Sequence, residues 1–413
     1  MQTHFIPCEE RPSPWGEPAS LWPILGQQVK AHTIKALESL GQNSNSSDHI
    51  VLPENLLLSP EFIVAFKKEV EELRRNGEPH CTLRGELASG SSARRSRARS
   101  SLKDLSLSPE GLALPLLVVP QGHPLPASVS ELIHLARQSK AVSVSPVEKT
   151  QLLPSPRAYS DPDKEGIEVA ASKHIALYLE HRSHLQQANL EMLGAQLLRA
   201  LDRPRWLQAL RYLWERFRPG PRRLFSEISR GCKIHPTAII EGSSLGANCE
   251  VGAYAIVRGC VLGEGVSVED GAHLHLSSLG DKVRVARQTS VFASVLMEGA
   301  HSAQTVMQMS VMGRHSATTS ASWFEDVRLN GPVRVESNRG DVFVDSGTRF
   351  LGCDLGHNSF IGAGVTVAAG RMVPSNTQIV ANPLHSLRTL KGGFPSDGGG
   401  SIYTVREGHL EPL

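Results

Sequence analysis

From Leu245 to Met312 an aliphatic-glycine pattern returns at a nearly constant interval, and no other feature limits the possible folds of this chain as tightly. Leu245-Gly246, Leu262-Gly263 and Leu279-Gly280 are followed by Leu296 and by Met312-Gly313, in steps of 17, 17, 17 and 16 residues. Each step divides into segments of six, six and about five residues, as in LGANCE VGAYAI VRGCV, LGEGVS VEDGAH LHLSS and LGDKVR VARQTS VFASV. Three short strands per turn predict a triangular solenoid, the left-handed parallel β-helix. The aliphatic residues that open the segments, Leu245, Val251, Val257, Leu262, Val268, Leu274, Leu279, Val285 and Val291, are expected to point inward. The glycine or small polar residue after each is expected to turn the corner. A single coil cannot bury its own inner face, so the coils must stack to fold.

The whole chain is longer than this solenoid, and its 413 residues allow two or three domains. With 43 basic and 41 acidic residues the formal net charge is +2, which gives no electrostatic reason to expect a nucleic-acid partner or an anionic membrane. The longest apolar run, Gly111 to Val119, contains Pro115 and is too short to span a bilayer. No basic segment followed by an apolar run opens the chain, so a secretory signal is not expected. The six cysteines, at positions 8, 81, 232, 249, 260 and 353, form no CxxC pair, which argues against a structural zinc site and a disulfide framework. A cytoplasmic protein is the expectation.

Three zones follow. Residues 1–165 read as an α/β domain. Val29, Ile34, Leu37 and Leu40 fall roughly on one helical face, Ser59-Pro60 makes a helix start before EFIVAFKKEVEELRR, and Ile50–Leu52 and Leu114–Val119 are strand-like. Ala88–Ser101 is small, polar and basic, and reads as a solvated loop. Residues 166–228 form a helical connector: Ile175, Leu179, Leu185, Leu190, Leu193, Leu197, Leu198 and Leu201 recur at helical spacings, and Trp206, Leu210, Leu213, Trp214 and Phe217 continue after Pro204. The β-helix occupies residues 229–382, with regular coils over about 232–380, and 383–413 form a tail. Between Trp323 and Arg349 the period lapses, and the Asn-Gly and Arg-Gly pairs there predict a projecting loop or hairpin. Insertions on repeat proteins commonly lie on a functional face.

The repeats resemble the hexapeptide-repeat domain of acyltransferases and sugar-nucleotide pyrophosphorylases, and LGCDLGHNSFIGAGVTVAAGRMVPSN is similar to the terminal coils of the bifunctional N-acetylglucosamine-1-phosphate uridylyltransferase/acetyltransferase class. In the first zone, SLWPILGQQVKAHTIKALESLG resembles the Pro-aliphatic-Gly turn before a helix in sugar-phosphate nucleotidyltransferases, and HIVLPENLLLSPEFIVAFKKE resembles their metal-binding strand end. Asn189-Leu190 resembles the helical connector of that class. The resemblance implies a homotrimer, a nucleotide-linked or phosphorylated sugar as ligand, and acetyl-coenzyme A or another acyl-coenzyme A as donor. The nucleotidyltransferase chemistry is not matched. Early glycines are isolated at 16, 26 and 41, no Gly-rich loop is present to cradle a triphosphate, and Pro53-Glu54-Asn55 stands where the metal-binding Gly-Asp belongs. Val147-Glu148-Lys149 is similar to the Glu-Lys-Pro sugar element, but Thr150 replaces the proline. A degenerate first domain that regulates, or merely binds a sugar nucleotide, is the expectation.

Acyl transfer requires a base to take the acceptor's proton as it attacks the thioester. His235, His273, His275, His301, His315 and His357 are available. The resemblance to UDP-N-acetylglucosamine acyltransferases favours His275, four residues before Leu279-Gly280. Arg284, Arg287 and Arg314 are candidate phosphate contacts. Two functions stay open: a transferase with His275 as base, and a catalytically silent trimeric scaffold or regulatory subunit.

Overall fold

The computed structural model describes residues 2–8, 11–12, 14–39, 48–76, 81–88, 111–153, 167–202, 222–303, 305–336, 342–382, 403–406 and 409–412. Its dominant body is the left-handed parallel β-helix, with three walls of eight strands each. Stacked coils align Leu245 with Leu262, Leu262 with Leu279, Leu279 with Leu296 and Leu296 with Met312. All nine residues expected to face inward are between 0% and 3% exposed, which fixes the register. A fully buried aliphatic side chain contributes about 1.5–3 kcal/mol, so these columns are the main favourable term of the solenoid.

Glycines after the inward leucines do a different job from the one expected. Gly280 does not adopt a left-handed backbone; a Cβ there would lie 2.7 Å from Glu298 N in the coil stacked on it. The absence of a side chain lets neighbouring coils approach. The left-handed residues lie further along the corner, at Asn248, Gly265, Lys282 and Gly299, with φ of 59°, 66°, 57° and 67°. The stack also begins earlier than the aliphatic pattern, because Arg222–Leu224 and Glu227–Ile228 already pair in parallel with Ile239–Glu241 and Ser244–Leu245. Where the period lapses, Arg334–Glu336 and Phe343–Asp345 form an antiparallel hairpin. Regular coils resume with Asp354–Leu355 seated on Val311-Met312.

The first zone contains a five-stranded mixed sheet of β1 (Gln2–Ile6), β2 (His49–Pro53), β3 (Leu83–Ala88), β4 (Gly111–Val119) and β5 (Lys140–Val144), in the order β1-β2-β4-β3-β5. Helices α1 (Val29–Glu38), α2 (Pro60–Arg75) and α3 (Val129–Gln138) accompany it. Ser59 caps α2 as its spacing predicts, accepting from Phe62 N, and Pro60 opens the helix. Most of the basic loop at 88–101 and the Trp206–Phe217 stretch lie outside the described residues. No helix among the described residues is long and apolar enough to cross a membrane.

Helix α4 (Ser183–Leu201) joins the two bodies. Leu185, Ala188 and Met192 share one core cluster with Trp22, Ile24 and Leu57 of the first domain and with Val295, Met297 and Val311 of the β-helix. Gln186 Nε2 donates to Ala293 O, and Leu197 packs against Gly242 at a coil corner. A polar staple reinforces the junction: Arg314 pairs with Glu17 at 2.6 Å and Trp15 Nε1 donates to Leu355 O. One wall of the solenoid is therefore covered by its own chain.

Candidate functional site

The segment resembling a metal-binding strand end is built into the fold. Glu54 is ion-paired with Lys30, whose ammonium also lies 5.3 Å from the centre of the Phe5 ring. Asn55 is fully buried and donates from Nδ2 to Leu179 O at 2.6 Å. Asn189, the other residue carrying the resemblance, clamps the Pro-aliphatic-Gly turn: its Oδ1 accepts from Leu25 N and its Nδ2 donates to Pro23 O. Glu148 and Lys149 lie in a strand paired antiparallel with Ile167–Ser172. Glu54, Asn55, Asn189 and Glu148 each have a partner that accounts for them structurally, and Lys149 is exposed.

The six histidines do not converge. His235 bonds Thr237 at the start of the solenoid, His301 is exposed on the wall carrying Arg284, and His315 occupies a left-handed corner with φ of 54°. His357 lies beside Arg314 and Glu17 in the junction. Only His273 and His275 share a strand. Of the arginine candidates, Arg314 is taken up by Glu17, Arg287 is 3.8 Å from Glu269, and Arg284 is exposed.

His275 stands on a wall that the described residues of the first domain do not cover. Its register neighbours are Arg258 on one coil and Phe292 on the other, and Arg258 is itself paired with Glu241 at 2.7 Å. Burial lowers the His275 pKa, and Arg258 and then His273 lower it further, which favours the neutral imidazole. No side-chain hydrogen bond to this ring is made among the described residues.

A second cluster was not singled out by the sequence. Arg182, immediately before α4, is 2% exposed and is paired with Glu336 of the hairpin and Asp354 of the following coil. It also donates to Gly370 O at 2.8 Å. Burial pushes the Asp354 carboxyl up, and Arg182 pulls it back down. Glu336 further holds Arg371 at 3.1 Å, and the Arg371 guanidinium lies 4.3 Å from the centre of the Phe343 ring. Beside this chain is a cavity of about 350 Å³ whose lining includes Arg328, Arg334, Arg371, Phe343 and Glu325. Extra charge in the 323–349 insertion was its one legible sign.

No model of a known protein family matches the chain, and no curated protein matches it. Among solved structures, similarity was found to a hexapeptide transferase family protein from Anaplasma phagocytophilum, at 15% identity and a TM-score of 0.19, covering 36% of this chain and 72% of that one. A Bacillus cereus protein assigned as an acetyltransferase matches at 15% identity and a TM-score of 0.16, covering 37% of this chain and 71% of that one. At that level of similarity they carry no weight on activity, and the fold rests on the strand pairing and burial described above.

Proposed function

We propose that this chain is a hexapeptide-repeat transferase that acts on a nucleotide-linked or phosphorylated sugar, taking an acyl group from acetyl-coenzyme A or another acyl-coenzyme A. The observation that carries the reading is the place of His275, half-buried on a solenoid wall that the described residues of α4 and the first domain leave uncovered, where burial lowers its pKa and favours the neutral imidazole. A neutral ring can accept the proton of an acceptor hydroxyl or amine as the new acyl bond forms, and return it to the departing thiolate. The reading includes a homotrimer, in which a neighbouring copy completes the cleft. Six free cysteines fit a reducing, cytoplasmic setting. Nucleotidyl transfer is not part of the proposal, because the Lys30–Glu54 pair and the buried Asn55 use up the segment that would bind metal.

Thermal-shift screening with acyl-coenzyme A and nucleotide sugars tests the binding half, since a ligand at a hundred times its dissociation constant stabilises by about 2.7 kcal/mol. His275→Ala tests the chemistry and should lower turnover by about a hundredfold to ten-thousandfold in a chain that remains folded. Unchanged turnover would remove His275 as the base. The non-catalytic scaffold remains the second reading, favoured by the lack of any group on the described chain that orients the His275 ring. A trimer with no turnover and no stabilising ligand would select it.

A further inference from the structure

We propose that the cavity beneath the Arg334–Asp345 hairpin binds a hydroxyl-bearing organic phosphomonoester, of the sugar-phosphate class. Three guanidinium groups reach this one cavity from separate segments: Arg328 from the start of the insertion, Arg334 from the hairpin and Arg371 from a terminal coil. Arg371 is a fixed wall, held by Glu336 and stacked on Phe343. The other two are different. Arg328 Nη1 donates to Pro332 O at 3.1 Å and Arg334 Nη2 to Phe343 O at 3.0 Å, both neutral carbonyls. Neither forms an ion pair among the described residues, so two forked cations share the lining with no described carboxylate in salt-bridge contact with them. Phosphate oxygens match that fork geometry and gain charge-assisted hydrogen bonds from it.

The rest of the lining points to what the phosphate carries. Phe343 is a large ring left 47% exposed, with Arg371 over it, and it offers an apolar surface against which a ring can rest. Glu325, the single carboxylate among the described lining residues, can accept from ligand hydroxyl groups. A volume of about 350 Å³ suits a compact sugar phosphate better than a whole acyl-coenzyme A or nucleotide sugar. The cavity shares no residue with the surroundings of His275. Choosing a sugar as the organic part rests on the proposed function, whereas the cationic cavity does not.

Isothermal titration of the full chain with glucose 1-phosphate, N-acetylglucosamine 1-phosphate and ribose 5-phosphate, alongside glucose and inorganic phosphate, tests the assignment. At least one phosphomonoester should bind, glucose should not, and inorganic phosphate should bind about tenfold more weakly or worse. Arg328→Gln combined with Arg334→Gln should weaken the phosphomonoester by about tenfold or more, with an unchanged melting curve because both side chains are exposed. Phe343→Ala should weaken the sugar phosphate and leave inorganic phosphate unaffected. No binding by any of the three, binding undiminished in the double variant, or inorganic phosphate binding equally well would each overturn it. Titration of His275→Ala keeps the two proposals apart, since the cavity should bind there unchanged even if acyl transfer fails.

Discussion

Val268 and Arg182 are both almost fully buried, and they stabilise the chain by opposite means. Val268 lies in an inward column between Val251 and Val285, so Val268→Asp would place an unpaired carboxylate among aliphatic side chains. Urea unfolding should register a loss of about 3 kcal/mol or more, and a loss below 1 kcal/mol would contradict the register. Arg182→Ala would leave Asp354 and Glu336 without their shared cation, and breaking such a buried pair costs about 3–5 kcal/mol. Neighbouring His181 adds a pH dependence. Burial lowers its pKa from 6.5 to about 4, outweighing its hydrogen bond to Glu336 O, so the unfolded chain takes a proton that the folded chain refuses. Stability from this ring is whole above pH 6.5 and falls as pH drops toward 4, by at most about 3 kcal/mol. His181→Gln should flatten that part of the profile of melting temperature against pH. Val268 was legible because a local period determines its environment. Arg182 was not, because its partners lie 154 and 172 residues away in sequence.

Helix α4 shows how a pattern can misplace and understate an element: Ile175 and Leu179, read with its leucines as part of a helical connector, lie outside the helix on either side of the strand Ala176–Tyr178. Its leucines announced a helix, and a connector exposed on one side would keep polar residues out of contact. Yet Gln186, Gln187 and Asn189 are 2–4% exposed, since the N-terminal half of α4 is enclosed between the first domain and the solenoid. Buried amides there must find partners, and Asn189 does so in the Pro23–Leu25 turn. Asn189→Ala should cost about 1–3 kcal/mol by leaving Leu25 N and Pro23 O unsatisfied, measurable as a lower melting temperature. In the solenoid the repeat located the glycines but not their reason. Periodicity along one chain carries no information about the distance between coils. Because a Cβ at Gly280 would meet Glu298 N at 2.7 Å, Gly280→Ala should destabilise by about 1–3 kcal/mol, more than alanine at an exposed helical position. An equal, small effect at both would contradict close approach as the role of this glycine.

At the scale of the whole molecule, the decisive question is which solenoid walls the described residues leave uncovered. One is occupied by α4 and the first domain. Another displays charge, with Lys233, Glu250, Arg284 and His301 exposed along it. The third carries His275 together with half-buried Ile239, Ile256, Phe292 and Val306, and Trp323 is 55% exposed there. The two walls that the described residues leave uncovered meet at an edge bearing Tyr254, which is 71% exposed. In a threefold assembly one wall of each copy contacts a different wall of the next, which would bring these edges together on the axis and set the apolar wall against a neighbour's charged one. His275 would then face the neighbouring chain, from which a carboxylate such as Glu250 or Glu269 could orient its ring. Light scattering at micromolar concentration should report three copies, and Trp323→Asp should yield folded monomers. If the wild-type chain is monomeric, His275 has no second chain to complete its surroundings, and acyl transfer at this wall fails as an account of the protein.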